Sequence, residues 1–311
     1  MSQVPEETLR LSMRLEIREL IAQGVTTILD SSRLGLSLPV LNEESIRGYV
    51  ISEIHPDDTT PEPDFLRSKL NSGKNLFHGF GPYSIFSLSP QSQKSLIEHT
   101  TQNKLLWAAH IAESSEELQA FSEKTGELYS HVTQNKEWPF DICAGSIKYA
   151  LSQNLIPDNG ICFHCNYITG DELQELASKN VSVVLCYQYS QEMGHKPFPL
   201  EIALNRNIPI CLGTEGVAAH GFMSLFDELF AIKKAYPYIP AEQMINWVTQ
   251  NAANALNAGT VLGSLTEGKF ADMIALQIRH DPNENILDEL IMSDPEIIMV
   301  MINGEEVIVN F

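Results

Sequence analysis

Basic residues are scarce in this chain: 20 lysines and arginines stand against 40 aspartates and glutamates in 311 residues, a formal charge of −20. A nucleic-acid or anionic-membrane surface needs a basic stripe, which this sequence would have to assemble against its own field, so neither partner is expected. Long apolar runs are lacking too. None reaches the ~18 residues of a membrane span, and residues 1–7 do not read as a signal peptide, so a cytoplasmic location is expected. Cysteine is sparse and odd in number (143, 162, 165, 186 and 211). That argues against a disulfide frame and for reduced thiols buried in apolar segments. Charged residues make up only 19% and apolar ones 43%, too little charge for disorder and ample material for a core.

What is present is alternation. Seven short apolar runs, at 25–30, 48–53, 75–80, 105–110, 160–164, 181–186 and 208–213, have the near-continuous hydrophobicity of parallel strands covered on both faces. Helical patterns lie between most of them, at 6–23, 89–102, 114–125, 141–153, 171–179 and 200–205, and two more follow at 223–235 and 241–256. Ser114-Ser-Glu-Glu117 and Thr169-Gly-Asp-Glu172 are start signals with carboxylates in the first turn. This order predicts an α/β fold, either a (β/α)8 barrel or a doubly wound sheet. Residues 271–278 and 297–302, with an Asn303-Gly304 turn and a final run at 305–311, predict a small β appendage, and 55–63 predicts a loop.

In a β/α barrel the chemistry sits at the carboxyl ends of the strands. The runs close on Asp30, Phe80, His110, His164, Cys186 and the Gly213-Thr-Glu215 segment. One histidine ending a strand is more often structural than a ligand; two histidines with carboxylates at separate strand ends form a candidate site. Glu113, three residues beyond His110, reads either as a carboxylate projecting over the barrel mouth or as one favoured by a helix dipole. Cys162-Phe-His-Cys165 has no second pair for a zinc ribbon and does not open a helix, so Cys162 is expected in the core. His195 and His220 fall in loops beyond strand ends, from which they could reach a pocket, but ordinary exposed histidines are the preferred reading.

A resemblance joins these segments. Gly24-Val-Thr-Thr-Ile-Leu-Asp30, Pro82-Tyr-Ser84, His110-Ile-Ala-Glu-Ser114, His164-Cys-Asn-Tyr-Ile168, Leu212-Gly-Thr-Glu215 and the 263–272 segment ending in Asp272 together resemble the metal-dependent amidohydrolase superfamily. The similar branch holds cytosine deaminase-like and S-adenosylhomocysteine or aminodeoxyfutalosine deaminase-like proteins. The resemblance implies a TIM-like barrel over 1–260 and, over 261–311, the C-terminal strands of a small β-sandwich. It implies one zinc or iron ion, with His110 and Glu215 as ligands. Glu113 would shuttle protons, His164 would orient the attacking hydroxide or the substrate, and Glu215 would also accept a proton. The implied reaction is hydrolysis of a C–N bond by a metal-bound hydroxide, deaminating a small heterocyclic or nucleoside-like substrate.

Departures accompany the matches. The family carries a His-x-His pair at the end of its first strand, and no His-x-His occurs in this sequence. The chain aligns from the second strand onward, so a barrel lacking its first strand is expected, its open edge to be covered by a homo-oligomer contact, a domain swap or a rearranged helix. A truncated start and a strand supplied by a partner are alternative readings. Glu215 replaces an aspartate, while Phe80 and Gln188 replace a histidine and an arginine at positions implied to bind substrate. The competing reading is a catalytically degenerate relative that acts as a binding or scaffold protein.

Overall fold

The computed structural model describes residues 4–33, 35–55, 75–134, 137–217, 221, 223–278, 285–293 and 295–307. The expectations for 56–63, His220 and 308–311 lie outside the described residues. The chain forms two compact units. One comprises 1–51, 62–78 and 214–311, and the other comprises 52–61 and 79–213.

In chain order, α1 (Glu6–Ala22) and β1 (Thr27–Arg33) are followed by the short α2 (Leu38–Leu41) and β2 (Arg47–Ile54). β3 (Leu76–Pro82) leads through α3 (Pro90–Gln102) to β4 (Leu106–Ile111). Next come α4 (Ser115–Glu123), α5 (Gly126–Thr133), α6 (Ser146–Ser152) and β5 (Ile161–His164). Then α7 (Gly170–Ser178) precedes β6 (Ser182–Leu185), and α8 (Tyr187–Glu192) and α9 (Leu200–Asn205) precede β7 (Ile210–Leu212). The rest is α10 (Leu225–Ala235), α11 (Ala241–Val248), α12 (Gln250–Ala255), β8 (Met273–Gln277), α13 (Ile286–Met292), β9 (Glu296–Ile302) and β10 (Glu305–Glu306).

Strands β1 to β7 form one sheet in which strand order is chain order, and β8 to β10 form a second, antiparallel sheet. The fold is therefore TIM-like α/β with seven parallel strands and a small C-terminal β element.

The second unit holds the densest part of the parallel sheet. β4 pairs with β5 so that Ala108 faces Ile161 and Ile111 faces His164, and β5 pairs with β6 from Ile161 opposite Ser182 to Phe163 opposite Val184. Every residue of β5, β6 and β7 is buried, the two-sided cover that near-continuous hydrophobicity anticipates. Gly81 in β3 is required by close approach, since a Cβ there would sit 1.6 Å from the carbonyl oxygen of Ala108. That approach carries the chain beyond β3 alongside His110, whose amide donates to the Tyr83 carbonyl at 3.1 Å. Helix starts are set by side chains. Ser89 caps α3, Ser114 accepts from the Glu117 amide at α4, and Thr169 with Glu172 forms a reciprocal capping box at α7.

In the first unit α1 lays Ile17 and Ile21 on a core with Leu41, Ile46, Val50, Val300 and Ile302. The expected Asn303-Gly304 turn is present, with φ of 55° and 81°, the left-handed pair a tight hairpin needs, and it joins β9 to β10. Arg47 is the buried polar centre of this unit. It pairs with Asp272, hydrogen-bonds the Asn303 side chain, and stacks 4.6 Å from the Phe270 ring centre.

Several element expectations change. The helix expected at 114–125 ends at Lys124, whose φ is 54°, and a second helix starts at Gly126. The helix expected at 241–256 is two, broken at Thr249 with φ −126° and ψ −93°. The helix expected at 141–153 shortens to α6 because Gly145, at φ 151°, leads into it. α2, α8 and α13 were not anticipated. Each has seven residues or fewer, too short for a helical repeat to show in sequence.

Candidate active site

The second unit concentrates polar side chains at the ends of its strands. β4 ends in His110-Ile111, after which Ala112 turns into the left-handed region at φ 52°, uncommon for a residue with a Cβ. A buried carboxylate holds this turn. Glu117 in α4 accepts from the Ala112 amide at 2.8 Å through Oε1 and from the Glu113 amide at 3.1 Å through Oε2. Burial pushes the Glu117 carboxyl up from its ordinary range, and hydrogen bonds from Ser146 and the two amides pull it the other way. β5 ends on His164, and both it and the following Cys165 are left-handed, with φ of 69° and 56°. Two adjacent strands thus bend sharply where their histidines emerge.

A chain of polar contacts runs across these ends. Glu53, near the end of β2, has Oε1 3.1 Å from His110 Nε2 and Oε2 3.5 Å from His55 Nε2. His110 Nδ1 lies 2.9 Å from His164 Nε2, which lies 3.8 Å from Glu113 Oε2. The Tyr189 hydroxyl donates to Glu113 Oε1 at 2.8 Å, and His195 Nε2 is 3.8 Å from the same oxygen. His164 is almost fully buried, while Glu113 keeps 23% of its side-chain exposure. The chain therefore starts inside the unit and opens at Glu113. There a cavity of about 370 Å³ is lined by Tyr83, Phe86, His110, Glu113, Tyr189 and His195, among others.

Ring and carboxylate atoms of His110, Glu113 and His164 all lie within 4.8 Å of one another, and this donor set suits a divalent cation. Glu53 strengthens the fit, since a carboxylate on the far nitrogen of a histidine is the usual support for a metal-binding ring. The described cysteines are unbridged, burial pushes the Cys165 thiol well up, and it pushes Cys211 to about 12.

Three of the site residues anticipated from sequence, His110, Glu113 and His164, lie together within the second unit. Glu215 belongs to the other unit, beyond β7, with a left-handed φ of 56°. Phe80 is fully buried within β3 with its ring 5.8 Å from that of His99, and it is not among the cavity-lining residues. Gln188 sits half-buried in α8 and is not among them either; the next residue, Tyr189, is.

Four participants were not anticipated, Glu53, His55, Glu117 and Tyr189; a fifth, His195, has a loop position that allows it to reach a pocket but favours exposure. His195 is only 11% exposed, not the surface histidine its loop suggests. Glu53 does close the run at 48–53, the one signal that would have found it.

Histidines and carboxylates presented at parallel strand ends beside one cavity are how β/α folds arrange their chemistry. The sequence model of the amidohydrolase family matches residues 1–307, and the chain belongs to that family. Relatives include a 5'-deoxyadenosine deaminase of Methanococcus maripaludis, 25% identical over 94% of this chain and 70% of its own length. A 5-methylthioadenosine/S-adenosylhomocysteine deaminase of Pyrococcus horikoshii is 25% identical over 90% of this chain and 67% of its own. The fold is shared with an adenosine deaminase from Xanthomonas campestris solved with bound zinc, at TM-score 0.82 and 18% identity over 97% of this chain and 70% of that one. It is shared too with Helicobacter pylori aminofutalosine deaminase, at TM-score 0.82 and 17% identity over 96% and 77%. Among the described residues no helix is long and apolar enough to cross a membrane.

Proposed function

We propose that the second unit carries a metal-assisted hydrolytic site that removes an amino group from a nucleoside-like heterocycle. The observation that carries this is the facing pair of imidazole nitrogens, His110 Nδ1 and His164 Nε2, with Glu53 behind one ring and Glu113 beside the other. The family and the deaminase relatives support the same reaction.

His110 and His164 would hold the ion, zinc or iron, with Glu113 at its edge. Such an ion supplies a water acidified to a pKa of ~7, a nucleophile at neutral pH. Glu53 fixes the His110 ring so that Nδ1 turns towards His164. Tyr189 occupies Oε1 of Glu113 and leaves Oε2, on the His164 side, as the oxygen that takes a proton from the attacking water and returns it to the departing nitrogen. The Glu117 clamp keeps that carboxylate where the strained turn at Ala112 puts it. Tyr83 and Phe86 supply aromatic cavity wall against which a flat ring can lie.

The test is elemental analysis of the purified protein beside ammonia release from 5'-deoxyadenosine and methylthioadenosine. Near-stoichiometric metal that is lost in His110→Ala, together with ammonia release, supports the reading. Metal below about a tenth of an equivalent, against the three protein ligands usual at a catalytic zinc, sinks it. The second reading, a binding protein without turnover, is favoured by Glu215 and Gln188 standing where the resemblance implies an aspartate and an arginine; ligand uptake with neither metal nor ammonia would establish it.

A further inference from the structure

His195 has no part in the chemistry above, yet its ring is set into the cavity wall. It follows α8, and its amide donates to the Ser190 carbonyl at 2.9 Å, tying the loop back onto that helix. Its ring meets Tyr189 edge-on, with centres 5.9 Å apart and planes at 67°. Nε2 is buried and makes no hydrogen bond among the described residues. At 3.8 Å from Glu113 Oε1 it is too far to bond that oxygen, which already accepts from Tyr189. A buried ring nitrogen left unpaired is costly, so its retention beside a cavity asks for an explanation.

The geometry supplies one. Two atoms 3.8 Å apart can each lie within hydrogen-bond distance of one polar atom placed between them. A ligand atom reaching into the cavity would meet both Glu113 and His195. Neutral imidazole donates or accepts according to its tautomer, so Nε2 can read either a ring nitrogen or an exocyclic amine. Tyr83, Phe86 and Tyr189 suit a flat aromatic body behind such an edge.

We propose that His195 is a ligand-contacting, specificity-determining residue, its Nε2 hydrogen-bonding the polar edge of an amino-substituted nitrogen heterocycle seated against Glu113. The ligand class rests on the function proposed above; the contact itself rests on the cavity geometry. A site that reads a polar edge through a buried group discriminates strongly against analogues lacking it.

The experiment is calorimetric titration of methylthio-coformycin, the ligand bound to a structural neighbour, into wild type, His195→Phe and His195→Gln, with ammonia release from 5'-deoxyadenosine measured separately. Wild type is expected to bind. Phe should weaken binding roughly 10- to 100-fold, as loss of one buried hydrogen bond predicts, and Gln should stay within about fivefold by replacing the donor or acceptor. The ¹⁵N resonance of His195 Nε2 should shift on titration, a readout that needs no variant and stands even where Phe does not fold. Equal affinity in wild type and Phe, an unmoved resonance or no binding by wild type overturns the proposal. Binding that depends on His195 without ammonia release would leave the contact standing and sink the hydrolytic reading; ammonia release with no effect of Phe would do the reverse.

Discussion

Each unit of this protein buries charge, and the two do it in opposite ways. In the first unit Arg47 is enclosed by Asp272, the Asn303 side chain and the Phe270 ring, a closed set in which cation and anion meet directly. In the second, carboxylates and histidines form a chain from buried Glu53 through His110 and His164 to Glu113, which faces a cavity. A closed ion pair serves the fold, because its partners satisfy each other and leave nothing to react. An open chain ending at a cavity leaves groups that a bound molecule can meet, as the proposed function requires. Substitutions in the closed set should therefore change stability, and those in the open chain should change activity.

The sharpest way to break this contrast is Glu113→Gln. It should leave the melting curve near wild type and lower kcat for ammonia release by about 10²- to 10⁴-fold, as expected for loss of a proton-transfer group. A large loss of stability instead would mean that the open chain is structural after all. Arg47→Ala should do the converse. Stripping one partner from a buried pair costs roughly 3–5 kcal/mol, read by urea denaturation, while turnover per folded molecule stays unchanged.

Glu53→Gln is a finer probe. It keeps the shape but removes the charge behind His110, and metal affinity should fall about 10- to 100-fold by competition with a chelator. No change there would demote Glu53 to a packing residue.

The smallest effect concerns Glu117. Its folded pKa is raised above its unfolded value, so the folded state holds the proton more tightly. The stability of wild type should therefore decline as pH rises from the ordinary glutamate value of about 4.3 through the raised one, while Glu117→Gln should remove that part of the slope. Denaturation midpoints at several pH values would show it.

Much of the fold was legible because buried parallel strands must be apolar nearly throughout, and seven such runs became β1 to β7. His110, Glu113 and His164 were legible because they end or follow those runs. Glu117 was visible only as one of a helix's first-turn carboxylates; nothing local says that its oxygens reach back to two amides of a strained turn. For His195 the sequence leaves open both exposure and reach into a pocket, because a loop residue is exposed by default, and the packing of its ring on Tyr189 decides it. Phe80, anticipated at a strand end, lies inside one because β3 runs on to Pro82.

The sequence by itself determined most of the element types, the parallel character of the buried strands and the identity of the groups at the strand ends, since local hydrophobicity and turn chemistry act over a few residues. Which of those groups meet was decided only in three dimensions. The register that sets Ile111 opposite His164 brings two histidines 54 residues apart to within 2.9 Å, and Glu53 reaches His110 across 57 residues. Contacts of that range depend on strand register and backbone bends, which no short stretch of sequence encodes alone.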